Sequence, residues 1–203
     1  MEVLAIDRAH PDARIVRRAV QHLAAGGLVV YPTETAYALG ADATNFAAVK
    51  TIFAVKERSA KKTVPLIVAS LVMARTFASF SPRALQLART YWPGPLTLVL
   101  PKSGKRLAAS VCSRGAIALR VSSEPIARLL AAKLGNPIVS TSANRSGRGA
   151  RYSARVVQKE FSKSRYPMLV LDAGRIPRRK PSTIVRVGRT ITMLRQGSVK
   201  ISL

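Results

Sequence analysis

The chain predicts a mixed, twisted α/β sheet flanked by helices, folded as a single domain over residues 1–203. Three observations carry that prediction. Stretches with strand and helix character mostly alternate along the chain. The strands are short continuous apolar runs, which calls for cover on both faces at least in part. A length of 203 residues with 48% hydrophobic side chains suits one sizeable core. Aromatics make up only 5%, so that core must be built from Val, Leu, Ile and Ala.

The elements follow in order. Residues 11–27 place Ile15, Val16, Ala19, Val20 and Leu23 at helical spacing, with Asp12 as cap and Gly26 and Gly27 as the stop. "LVVYP" is a buried strand. Residues 44–58 form a helix capped by Thr44 or Asn45, with Val49, Ile52 and Phe53 inward, and "PLIVAS" is the next strand. Residues 81–92 form a helix with Pro82 in its first turn, followed by the strands "GPLTLVLP" and "AIALRVS". Residues 124–135 form a helix that Gly135 ends, leading into the strand "NPIVST". A helix over residues 154–163 and the strands "MLVLD", "STIVRVG" and "TITMLR" complete the chain. The last two have no helix between them, which predicts an antiparallel pair.

Composition narrows the function. Cys112 is the only cysteine, so an intrachain disulfide and a cysteine zinc site are excluded. The start has no leader character and no run reaches the roughly 18 apolar residues of a membrane helix, so a cytoplasmic protein is expected. Against 34 Lys and Arg stand 9 Asp and Glu, a formal net charge of +25. Such an excess serves solubility alone or meets an anionic partner such as nucleic acid, nucleotide or an anionic membrane.

Catalytic groups are few. His10 and His22 lie by the first helix, out of reach of the strand-end loops where a Ser-His-Asp or Cys-His base would be needed. Glu34 and Asp172 are the only carboxylates in such loops, so no metal cage of hard oxygen ligands is expected. Neither a G-x-x-x-x-G-K-S/T loop nor a G-x-G-x-x-G after a strand occurs. Cations, hydroxyls and amides remain. They suit chemistry that holds an anion in place and neutralises charge as it develops.

Three polar stretches follow apolar elements. "YPTETAY" sets Thr33 and Thr35 after a strand, where ligand loops sit in open α/β sheets. "KERSAKK" sets Lys56, Arg58, Lys61 and Lys62 at a helix C-terminus, a place where cations also serve the dipole. "STSANRSGRGA" packs hydroxyls, an amide and glycines beyond a strand end; alone it reads equally as a surface turn.

Together with neighbouring motifs these stretches resemble the YrdC-like threonylcarbamoyl-AMP synthase family. "PTETAYALG", "IFAVKER", "PLIV", "WPGPLT", "SANRSG", "ST" at 182–183 and "LRQG" at 194–197 stand in the family's order from about residue 15 to 200. The resemblance implies a YrdC-like fold with a concave basic cleft, and a nucleotidyltransferase that makes threonylcarbamoyl-AMP and pyrophosphate from L-threonine, bicarbonate and ATP for tRNA modification. Mg²⁺ would arrive with ATP. Carried over by position, Lys56, Arg58, Ser142 and Asn144 would meet the nucleotide's phosphates, with Ser153 and Arg195 also on the ATP side. Thr33, Tyr37, Arg120 and Ser182 would hold threonine. tRNA on the basic surface and downstream tRNA threonylcarbamoyl transferase proteins are the implied partners, and membrane is not among them.

Two departures bear on the pocket. Ala38 stands where the family has glycine, and two more residues separate Arg58 from Pro65 than the family's pattern has, without its proline. No companion domain like those of the longer members, or of hydrogenase maturation proteins that form a carbamoyl adenylate, is expected. The competing reading is an RNA-binding protein of the same fold without synthase activity.

Overall fold

The computed structural model describes residues 1–59 and 64–201; Lys61 and Lys62 lie outside them. The strands are β1 (Glu2–Ala5), β2 (Leu28–Tyr31), β3 (Ala38–Gly40), β4 (Leu66–Ile67), β5 (Leu96–Pro101), β6 (Ala116–Arg120), β7 (Ile138–Val139), β8 (Thr141–Ser142), β9 (Met168–Asp172), β10 (Thr183–Val187) and β11 (Ile191–Arg195). The helices are α1 (Ala13–Ala24), α2 (Phe46–Lys56), α3 (Leu71–Arg75), α4 (Pro82–Tyr91), α5 (Pro125–Leu134) and α6 (Ala154–Glu160).

The mixed α/β class holds, and its strands divide between two sheets. The first runs β1-β9-β2-β3-β8, with β1, β9 and β2 mutually parallel and β3 and β8 antiparallel to their neighbours. The second runs β11-β10-β5-β6-β4-β7. In it β10 pairs antiparallel with β11, as the missing helix predicts, and parallel with β5. The expected strand at 136–141 is the link between sheets: β7 pairs with β4, β8 pairs with β3, and Ser140 between them donates its amide to the Pro65 carbonyl at 2.8 Å.

Local chemistry sets the helix ends. The Asp12 side chain accepts from the Arg14 amide at 2.6 Å. Asn45, not Thr44, caps α2, its side chain accepting from the Ala48 amide at 3.0 Å, because Asp42 takes both the amide and the hydroxyl of Thr44. α2 stops at Lys56, two residues before the expected end, because Glu57 turns into the left-handed region at φ 52°. α6 likewise ends at Glu160, where helix to 163 was expected. β1, β3 and α3 were not expected. β1 is a mostly exposed edge strand and β3 has three residues, so neither leaves a periodic signal.

The second sheet has two different faces. Leu66, Leu96, Leu98, Leu100, Ile117, Leu119 and Val185 point into the main core, at 0–1% exposure. The alternate residues of the same strands, Ile67, Thr97, Val99, Ala116, Ala118, Arg120, Ile184 and Arg186, line a cavity.

Candidate active site

That cavity measures about 460 Å³. The second sheet is its floor, and the turn after β2, the strand β8 and the chain around residues 179–182 are its walls. Two of the floor residues, Ala116 and Ala118, are small and leave it room. Ala38 also lines it. Its backbone is outside the left-handed region, so the methyl group occupies wall space without straining φ.

Of the expected site residues, Thr33, Tyr37, Arg58, Arg120, Ser142, Ser182 and Arg195 line this one space, although they come from six separate parts of the chain. Lys56, Asn144 and Ser153 do not. Ser153 is the residue before α6 and makes no side-chain capping bond. Lys56 and Asn144 stand one layer behind the wall. Lys56 is 1% exposed, and its Nζ donates to the carbonyl oxygens of Ser142 and Asn144, each at 2.5 Å, with Asn144 Oδ1 at 3.5 Å. Burial first, and then the charge of Arg58, push this ammonium down to about 8.

The 142–151 loop is tied at several points. Besides Lys56, the Asn144 amide donates to the carbonyls of Arg145 and Arg148. Ser146 donates its amide to the Lys56 carbonyl at 2.9 Å. From α6, Glu160 accepts the Arg145 amide at 3.0 Å and Arg151 Nη2 at 2.5 Å, with Arg148 Nη1 at 3.6 Å. Burial would raise the Glu160 carboxyl, but these partners hold it below its ordinary value. Sequence reasoning missed Glu160; the three arginines at 145, 148 and 151 beside so few acids were the available signal. Ser142 itself is left exposed to the cavity.

The opposite wall is as firmly built. Thr33 Oγ1 donates to the Ala36 carbonyl at 2.6 Å and closes the turn after β2. Tyr37, fully buried, donates its hydroxyl to the Gly174 carbonyl at 2.7 Å and accepts the Ala173 amide at 2.9 Å. Burial leads among the causes that push this phenol up to about 12. Arg120 Nη2 donates to Glu34 Oε2 at 3.2 Å, and Ser122 Oγ donates to the same oxygen. Arg195 Nη2 donates to the carbonyl and Oγ of Ser182 at 2.8 and 3.0 Å, and Ser182 Oγ lies 2.9 Å from Thr97 Oγ1.

The late "LRQG" has a physical reason here. A side chain on Gly197 would put its Cβ 2.1 Å from the Pro181 carbonyl, so only glycine lets the chain after Arg195 close onto the segment that carries Ser182. Arg179 and Arg186 also line the cavity and were not expected. Both belong to the general excess of cations, which hid them.

With this geometry in place, comparison with known proteins is specific. Residues 21–197 match the Sua5–YciO–YrdC family, described as telomere recombination. The chain is 34% identical over 185 residues to a threonylcarbamoyl-AMP synthase of Vibrio vulnificus, covering 90% of this chain and 98% of that protein. It is 38% identical over 179 residues to a threonylcarbamoyl-AMP synthase of Chromobacterium violaceum, covering 86% and 90%. Among solved structures, P. abyssi Sua5 complexed with L-threonine superposes with a TM-score of 0.89 at 32% identity. That match covers 97% of this chain and 58% of the Sua5 chain.

Proposed function

The chain belongs to the Sua5–YciO–YrdC family, and from that premise we propose that it is a threonylcarbamoyl-AMP synthase, a nucleotidyltransferase acting on L-threonine, bicarbonate and ATP. The amine of threonine and bicarbonate condense to a carbamate with loss of water. A carbamate oxygen then attacks the α-phosphorus as the bond to pyrophosphate breaks. The substrates supply nucleophile and leaving group, so the chain's work is to hold and to neutralise.

The observation that carries this reading is the convergence of Arg58 and Ser142 with Thr33, Tyr37, Arg120 and Ser182 on one cavity. Arg58 meets the phosphates through parallel N–H donors. Ser142 and the backbone beside it bind nucleotide oxygens, while Lys56 and Asn144 fix that backbone from behind. Arg195 takes the nucleotide side, and Ser153, which is outside the cavity lining, would serve that side only through the start of α6. Thr33 and Tyr37 spend their hydroxyls on the protein, so they shape the threonine pocket with methyl and ring, and Arg120 and Ser182 offer it polar contacts. On this reading Mg²⁺ would arrive with ATP, carried on its phosphates.

The product passes to tRNA threonylcarbamoyl transferase proteins in the cytoplasm, and the basic surface meets tRNA. No helix among the described residues is long and apolar enough to cross a membrane.

The test is pyrophosphate release. It should require both L-threonine and bicarbonate, and Arg58→Ala should lower it about a hundredfold in a folded protein, the scale of losing a preorganised charge stabiliser, with Lys56→Ala lowering it through the loosened 142–144 backbone. Release indifferent to threonine would refute the assignment.

A further inference from the structure

A cavity that takes both a triphosphate and an amino acid has to sort two kinds of anion, because a guanidinium binds phosphate and carboxylate alike. Arg58, Arg120, Arg179, Arg186 and Arg195 all line the cavity. Among the described residues Arg179, Arg186 and Arg195 reach no carboxylate, whereas Arg120 is paired with Glu34 at 3.2 Å. The side chains of that pair are 7% and 5% exposed. Ser122 Oγ donates to Glu34 Oε2 and itself accepts the Glu124 amide at 3.2 Å, so the carboxylate is held in place from its far side.

The pair is also incomplete. Glu34 Oε1 and Arg120 Nε are both buried without a partner. A bridge kept for stability would use both edges, because each unmatched buried polar atom costs the desolvation it has undergone. The carboxylate is placed beside Arg120 for something other than a full set of bonds.

We propose that Glu34 is a specificity-determining residue of the cavity: by neutralising Arg120 it keeps nucleotide phosphates off that guanidinium and reserves it for a zwitterionic α-amino acid. The inference rests on the proposed reading of Arg120 as the amino acid's anchor. A phosphate drawn to Arg120 must also approach the Glu34 carboxylate. An amino acid brings its own ammonium, which can donate to the unpartnered Oε1 of Glu34, the same carboxylate that repels a phosphate. Without Glu34, Arg120 and Arg195 become two cations without a counter-charge on one sheet, near enough for Arg120 to act on the charge of Arg195, and two such cations clamp phosphate.

Glu34→Gln removes the charge and keeps the shape. The KM for threonine should rise about tenfold, the scale of one charge-assisted hydrogen bond, with the KM for ATP moved by no more than about twofold. Orthophosphate should become an inhibitor competitive with threonine, and calorimetry should find its affinity raised about tenfold over the unaltered protein. Unaltered threonine KM or unaltered phosphate affinity in the folded variant overturns the proposal. If Glu34→Gln melts early, Ser122→Ala releases the same carboxylate and is expected to shift both quantities in the same directions; no shift overturns the proposal. Arg120→Ala separates the two layers. If it leaves the threonine KM unchanged, the anchor reading falls and this inference with it. If it raises that KM while Glu34→Gln does not, this inference alone falls.

Discussion

At the scale of single residues, the spacing Lys56, Glu57, Arg58 has a stereochemical sense. The left-handed turn at Glu57 sends Lys56 behind the 142–144 backbone and Arg58 into the cavity, so two cations one residue apart do different work. Lys56 also gives a pH signature. Its ammonium loses a proton near 8 in the folded chain and at its ordinary 10.5 when unfolded. Turnover should therefore fall as pH rises through about 8, when the amine has fewer N–H groups for its three oxygen partners, and Lys56→Met should abolish that limb of the profile. Stability should move the other way. Between about 8 and 10.5 the unfolded chain binds the proton that the folded chain has shed, so the contribution of this group to stability improves as pH rises. A pH–rate profile alongside denaturant titrations checks both signs.

At the scale of elements, α6 and the 142–151 loop are one unit joined by Glu160. Its carboxylate takes the guanidinium groups of Arg148 and Arg151 and the backbone amide of Arg145, so Glu160→Gln leaves two like charges without their counter-charge while its Oε1 can still accept the Arg145 amide. Urea denaturation should find a loss of about 1–3 kcal/mol, and the KM for ATP should rise while that for threonine is unmoved. Much of the site was legible in the sequence because motifs such as "SANRSG" and "LRQG" record close backbone contacts that few side chains permit. What stayed hidden was which groups face the ligand and which hold the loops. Lys56, read as a phosphate contact, is 1% exposed, and burial depends on contacts such as that with Ser142, 86 residues away. Glu160 lay outside every motif. The division into two sheets was equally illegible, because the strand expected at 136–141 changes sheets across a single residue, Ser140, between β7 and β8.

At the scale of the whole molecule, the cavity floor belongs to one sheet and much of its wall to the other, so a ligand spans both. The net charge of +25 exceeds what one nucleotide needs. RNA held by phosphate contacts should lose affinity with salt at a log–log slope of about −0.7 to −0.9 per phosphate neutralised, measured by fluorescence anisotropy between low and physiological salt. A flat response would remove tRNA from the list of direct partners.

The small floor residues allow those two modes of binding to be told apart. Ala118 faces the open space and pairs with Val99 on the adjoining strand, so Ala118→Phe places a ring in the hollow while leaving every charge and every named hydrogen bond untouched. Such a plugged protein should keep its melting behaviour and lose ATP and threonine together. Whatever nucleic acid it still retains must then be gripped by the exterior, with the catalytic interior sealed.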